Sequence, residues 1–174
     1  MTPKVVLVGL PGVGKSATGR RLAKILAVPF ADSDELVEAA AGRPVAEIFA
    51  QAGEPAFRAA ERAAIVHALA EFPGVLALGG GAVGNATVRA AVADCGVPVA
   101  VLRATLETLG NRIGDAQSRP LLAGDPAGRL AVLAEERTPL YEALATFVVE
   151  TDAKTPGQVA ATIAARLHEH EGQR

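Results

Sequence analysis

Residues 9–16 read Gly-Leu-Pro-Gly-Val-Gly-Lys-Ser, and no other stretch constrains the chain as much. The stretch fits the spacing G-x-x-x-x-G-K-[ST], with Gly9, Gly14, Lys15 and Ser16 at the fixed positions. The apolar run Lys4-Val5-Val6-Leu7-Val8 before it reads as a buried strand, and Ser16 to Leu26 after it reads as a helix. A strand, a glycine loop and a helix N-terminus in that order form an anion site. Free backbone N–H groups and the positive helix end point at the loop's centre. Glycines let the backbone close on phosphate oxygens, Lys15 adds a cation for the β- and γ-phosphates, and Ser16 offers a hydroxyl to Mg²⁺. Lysine is scarce here: Lys4, Lys15, Lys24 and Lys154 are all there are, and one stands where this loop needs it.

The remainder reads as strands alternating with helices. Val28 to Ala31 reads as a second short strand ending at Asp32-Ser33-Asp34, with Ser33 or Asp34 placed to cap a helix starting near Glu35. Two carboxylates at the C-terminal end of a strand, near a phosphate loop, are candidates for Mg²⁺ and for proton abstraction. Val45 to Ala52 reads as a short helix stopped by Gly53, and Glu54 to Phe72 as a longer one carrying Phe57, Arg58, Glu61 and Ile65. Arg58 and Glu61 share a face, as a surface ion pair or as part of a site. Gly74 to Leu78 reads as a strand running into Gly79-Gly80-Gly81, three glycines that permit close backbone approach to a ligand. Helices are expected over Asn85–Ala93, Thr105–Ile113, Ala127–Ala145 and Pro156–His168, and strands over Val97–Leu102 and Thr146–Glu150. Gly114 to Pro126 is a long Gly, Pro, Asp and Ser-rich loop holding Arg119, of the kind that serves as a lid.

Composition narrows the function classes. The chain has 174 residues, half of them hydrophobic, and a net charge of −2, which offers no electrostatic case for nucleic acid or an anionic membrane as partner. No apolar run has the length of a membrane span, and Met1-Thr2-Pro3 leads straight into the first strand without a signal-peptide pattern. Cys95 is the only cysteine and reads as a small buried apolar residue. The expectation is a cytoplasmic enzyme of one domain, residues 1–174, with no aromatic-rich exposed stripe to suggest an obligate interface in place of a monomer.

Alternation of strands and helices behind such a loop argues a three-layer α/β/α fold with a central parallel sheet. The motifs together resemble the shikimate kinase family, within the nucleoside monophosphate kinase-like group. They are Gly-Leu-Pro-Gly-Val-Gly-Lys-Ser, Asp32-Ser33-Asp34, Phe57-Arg58 with Glu61, Leu78-Gly79-Gly80-Gly81-Ala82, Ser118-Arg119-Pro120-Leu121-Leu122, and Arg137 ahead of Pro139-Leu140-Tyr141. The resemblance covers Pro3 to about Leu167 and implies a five-stranded parallel sheet of order 2-3-1-4-5. It also implies a lid at about 114–126, an acceptor region at about 33–61, and phosphoryl transfer from ATP to the 3-hydroxyl of shikimate. It assigns Gly12, Val13, Gly14, Lys15, Ser16, Ala17, Arg112, Arg119 and Lys154 to ATP, and Ser16 and Asp32 to Mg²⁺. It assigns Asp34, Arg58, Glu61, Gly80, Gly81 and Arg137 to shikimate, with Lys15, Asp34 and Arg119 catalytic. The chain departs from the family pattern at Ala17, where Thr is usual, and at Lys154, where relatives can carry Arg.

Rival readings are weaker. A GTPase-type switch needs an Asn-Lys-x-Asp motif after a late strand, and none occurs. A gluconate kinase would also use arginines on a carboxylate, and an adenylate kinase would not call for them. The Asp-Ser-Asp, Phe-Arg and triple-glycine combination favours shikimate.

Overall fold

The apolar run before the glycine loop becomes the middle strand of a sheet that is covered on both faces. The computed structural model describes residues 1–113 and 124–172. In it β1 (Val5–Val8) is buried at every position. Its side chains alternate between two cores, as the two-residue period of a strand requires. Val5 and Leu7 join one cluster with Leu22, Leu109, Val159 and Ile163. Val6 and Val8 join the other with Ile65, Leu69, Leu76, Val88 and Val92.

These clusters place the helices. α1 (Lys15–Leu26), α5 (Leu106–Ile113) and α7 (Pro156–Glu171) bury their apolar stripes in the first core. α3 (Val45–Glu71) and α4 (Ala86–Asp94) bury theirs in the second. α6 (Pro126–Leu144) contributes Leu130 to the first and Tyr141 to the second. The strands β2 (Phe30–Asp32), β3 (Val75–Ala77), β4 (Val99–Arg103) and β5 (Phe147–Glu150) complete a parallel sheet in the order β2-β3-β1-β4-β5. The three-layer fold and the strand order expected from the sequence are both present.

Local readings differ in two places, the cap of the second helix and the burial of Cys95, and hold at Gly53. α2 (Ser33–Ala41) starts two residues earlier than expected, and its cap is neither Ser33 nor Asp34: Asp32 is the N-cap, its carboxylate accepting the Asp34 N–H at 3.0 Å. Asp34 is thereby released from a capping role. The two helices expected on either side of Gly53 are both present within α3, separated by a kink where Gly53 leaves the helical region at φ 81° and ψ 169°. Cys95 is half-buried rather than buried, its thiol donating to Val92 O at 3.0 Å.

Strand order decides where the loops meet. β3 lies between β1 and β2, so the Gly79–Gly81 loop after β3 is flanked by the loop after β1 and by the Asp32-Ser33-Asp34 segment after β2. All three emerge at the C-terminal edge of a parallel sheet, where this architecture opens its crevice.

Candidate active site

A cleft of about 760 Å³ opens at that edge, with the glycine loop of residues 9–16 at one end and α2, α3 and the Gly79–Gly81 loop at the other. At the first end, Gly14 is the N-cap of α1 at φ 96°, ψ 26°, a left-handed conformation that favours glycine. No side chain caps α1, so its first backbone N–H groups are left facing the loop. Lys15 Nζ donates to Gly9 O at 2.7 Å and Leu10 O at 3.1 Å, arching its cation over the loop. Ser16 Oγ donates to Asp32 Oδ2 at 2.5 Å, which brings two hard oxygen donors together beside Lys15. Arg112 of α5 reaches the same end, donating to Val13 O at 3.3 Å, Thr151 Oγ1 at 3.0 Å and Thr151 O at 2.8 Å.

At the other end, Asp34 and Glu61 converge on Gly79. A Cβ built there would meet Glu61 Oε1 at 2.7 Å and Asp34 Oδ1 at 2.8 Å, so only hydrogen fits between the two carboxylates and the backbone. Glu61 is buried, and its Oε2 accepts from Arg58 Nη1 at 2.6 Å. Its Oε1 is buried with no hydrogen-bond partner. Arg58 also faces Glu54 at 3.4 Å and lies against Gly81, where a Cβ would come within 2.2 Å of its guanidinium. Arg137 comes in from α6, Nη1 donating to Gly80 O at 2.9 Å. Arg58 and Arg137 both line the cleft, two guanidinium groups on the acceptor side of the phosphate loop.

The electrostatics sort the carboxylates. Burial pushes the Asp34 carboxyl above the usual range and the neighbouring Asp32 charge adds to this, against the opposing pull of Lys15 and Arg58. Burial also pushes Glu61 up, while the Arg58 charge and hydrogen bond oppose it. A carboxylate made a better proton acceptor, beside a phosphate loop and two arginines, suits proton abstraction from a hydroxyl on an anionic substrate.

Most of the residues singled out in the sequence meet in this cleft: Gly12, Gly14, Lys15, Ser16, Ala17, Asp32, Asp34, Arg58, Glu61, Gly80, Gly81, Arg112 and Arg137. Val13 is buried beneath the loop and reaches the site through its carbonyl, on Arg112. Lys154 does not line the cleft, and its Nζ donates to Glu150 O at 2.9 Å. Arg119 lies outside the described residues. Sequence reading missed Ser33, fully buried, whose Oγ accepts the Gly79 N–H at 2.8 Å. It also gave no role to Tyr141, whose hydroxyl donates to Gly80 O at 2.6 Å. A serine between two aspartates carries no burial signal, and an aromatic residue on an apolar face reads as core.

For Mg²⁺, Ser16 Oγ and Asp32 Oδ2 are the right donor type, and two oxygens suit an ion that takes its other ligands from water and substrate phosphates. Among the described residues no group of three or more His, Cys, Asp or Glu side chains could hold a metal by itself.

Comparison with known proteins bears on the same residues. A family model described as shikimate kinase matches residues 11–168. A shikimate kinase of Salinispora tropica is 48% identical over 167 residues, covering 96% of this chain and 99% of its own. One from Caulobacter vibrioides is 53% identical over 157 residues, covering 90% and 77%. A solved shikimate kinase from Acinetobacter baumannii, in complex with shikimate, superposes with a TM-score of 0.92 at 31% identity, covering 98% of this chain and 94% of its own. A gluconokinase from Sinorhizobium meliloti shares only the fold, at a TM-score of 0.61 and 18% identity over 97% of this chain and 95% of its own. With the family model, the relatives and the cleft all agreeing along nearly the whole length, the chain belongs to the shikimate kinase family of ATP-dependent kinases.

Proposed function

We propose that the protein transfers the γ-phosphoryl group of ATP to the 3-hydroxyl of shikimate, giving shikimate 3-phosphate and ADP. The observation that carries this reading is the convergence, in one cleft, of a phosphate loop with Asp34 and the Arg58–Arg137 pair. The shikimate carboxylate is received by Arg58 and Arg137, whose planar forks match it. Glu61 holds Arg58 in place through the 2.6 Å bond, and the Gly80 and Gly81 backbone faces the ring. Asp34 orients the attacking hydroxyl and accepts its proton as the new O–P bond forms and the bond to the β-phosphate oxygen breaks. The transition state is loose, so orientation and charge compensation carry most of the catalysis. Lys15 leaves the loop carbonyls to neutralise the β- and γ-phosphates, and the N–H groups of Gly12, Val13, Gly14, Ser16 and Ala17 cradle them. Ser16 and Asp32 would hold Mg²⁺, which would supply neutralisation of charge on the phosphate oxygens. Arg112 sits on the nucleotide side, Lys154 serves its periphery, and Arg119 closes over the phosphates from a lid at about 114–126. One kinase domain acting as a cytoplasmic monomer completes the reading. No helix among the described residues is long and apolar enough to cross a membrane.

The test is ADP release measured with shikimate, gluconate, AMP and water as acceptors. Shikimate alone should accelerate it well above the rate in water. Arg58→Ala and Arg137→Ala should each raise the KM for shikimate by about tenfold to more than a hundredfold, for a loss of roughly 1.5–3 kcal/mol, while sparing ATP. Acceleration by gluconate in place of shikimate, or a collapse of ATP affinity in both variants, refutes the assignment.

A further inference from the structure

The Gly80 carbonyl accepts two hydrogen bonds from the same helix, from Arg137 Nη1 at 2.9 Å and from the Tyr141 hydroxyl at 2.6 Å. The reaction as described explains the arginine and leaves the tyrosine without a role. Arg137 and Tyr141 stand four residues apart on α6, so both side chains fall on one face. A carbonyl oxygen has two lone pairs and can take both donors at once. Holding that carbonyl also fixes the rigid Gly80–Gly81 peptide plane, and with it the Gly81 N–H on the far side from α6. The restraint matters because a run of glycines has little conformational stiffness of its own. On the other flank, Ser33 Oγ holds the Gly79 N–H at 2.8 Å, so the loop is strung between α2 and α6.

The two donors differ in kind. Arg137 lines the cleft and carries a charge available to a substrate anion. Tyr141 is 3% exposed, packed in the core beneath the loop, and burial pushes its phenol up to about 12, so it remains a neutral donor at every working pH. An arginine that must turn some of its N–H groups to a ligand is a poor sole anchor for the carbonyl. A buried tyrosine is a permanent one.

We propose that Tyr141 is a positioning residue for the acceptor site: its hydroxyl holds the Gly80 carbonyl, and through it the Gly80–Gly81 peptide and the Arg137 guanidinium, in the geometry that receives the substrate carboxylate. The inference rests on the seating of shikimate on Arg58 and Arg137 proposed above.

The chain offers its own probe, since it has one tyrosine and no tryptophan and its tyrosine emission reports Tyr141 alone. Shikimate titrated into the wild-type protein should change that emission saturably, at the concentration that half-saturates binding by calorimetry. Tyr141→Phe keeps the ring and its packing and removes only the hydroxyl. It should raise the KM for shikimate about three- to tenfold, as expected for one hydrogen bond, with the loss in KM rather than kcat and the KM for ATP moving less than about twofold. An unchanged shikimate KM in folded Tyr141→Phe overturns the proposal, as does an equal rise for ATP, which would mark general packing. Arg137→Ala separates the two layers: if its shikimate KM is normal, the seating and the inference fall together. If it is raised while that of Tyr141→Phe is not, only the inference falls. Should Tyr141→Phe fail to fold, the wild-type emission titration decides, and emission indifferent to saturating shikimate overturns the proposal.

Discussion

Asp34 illustrates how much a single side chain's neighbours decide. In sequence it stands where a helix cap could stand, yet the cap is Asp32, and Asp34 turns into the cleft against Gly79. Burial and the adjacent Asp32 raise its pKa, so it is poised as a base and not merely as a charge. Asp34→Asn leaves the cap untouched and removes an unfavourably buried charge. Turnover with shikimate should fall roughly a hundredfold or more, within the range of a positioned base, while the thermal midpoint holds or rises. Because Asp34 must be ionised to accept a proton, wild-type kcat/KM should rise with pH through a limb lying above the ordinary aspartate value of 3.8. That limb should be absent from the residual activity of the variant. Ordinary turnover per folded molecule with a lowered midpoint would assign Asp34 a structural role only. This residue was legible as a candidate from its place at a strand end, but its freedom from capping was not, because one hydrogen bond to Asp32 settles that question.

At the scale of elements, the Gly79–Gly81 loop is where three segments touch, and each glycine is needed against a different neighbour. A Cβ at Gly79 would strike Glu61 and Asp34, one at Gly80 would strike Pro11 of the phosphate loop at 2.9 Å, and one at Gly81 would strike the Arg58 guanidinium at 2.2 Å. Of these neighbours only the Arg58 guanidinium is the partly exposed end of a long side chain that can swing away, whereas Glu61 is buried. Gly81→Ala should therefore fold, with the displaced Arg58 raising the KM for shikimate by about an order of magnitude, comparable to losing a charged hydrogen bond. Gly74→Ala is the contrast, since its Cβ would meet the Pro29 backbone carbonyl at 2.0 Å, and that carbonyl is held by the Val75 N–H at 2.9 Å just ahead of the paired strands and cannot yield so easily. It should lose about 1–3 kcal/mol of stability, as overpacking does, without a selective effect on shikimate. Kinetics with both substrates and a denaturant melt of the two variants make the comparison. The reverse pattern would mean that Arg58 has no room to move or no part in binding.

Across the whole molecule, the acceptor end of the cleft is held at some cost in stability. Glu61 has its pKa raised by burial in spite of Arg58. A group raised on folding stabilises the fold fully below its unfolded value, here 4.5, and that contribution is lost as pH rises through the folded value. At neutral pH the ionised Glu61 is therefore a burden, of the sort active sites keep for function. Glu61→Gln should match or exceed the wild-type thermal midpoint at neutral pH, with the difference shrinking as the pH falls through the folded value towards 4.5, and should raise the KM for shikimate. A midpoint well below wild type at neutral pH would show that the Arg58 pair outweighs the burial. The same reasoning reaches the alkaline side, where Tyr141 should contribute stability up to about its ordinary value of 10.0 and lose it as pH rises towards about 12.

By itself the sequence determined whatever is encoded in consecutive residues. The strand, glycine loop and helix of residues 4–26 form one local unit, and the periodic apolar positions of the later elements mark their types within a few residues. Such features depend on spacing along the chain, which a sequence displays directly. The strand order was legible only through family resemblance, since it is settled by packing between elements far apart in the chain. Tertiary structure alone placed β3 between β1 and β2, and so set the glycine loop against both Pro11 and the Asp34–Glu61 pair. It alone brought Arg137 and Tyr141 to Gly80 across 57 and 61 residues. It also made Ser33 a buried acceptor and Glu61 a carboxylate with one oxygen unpaired. Burial, shifted pKa values and shared acceptors are properties of neighbours in space, and they exist only once the two cores have closed around the sheet.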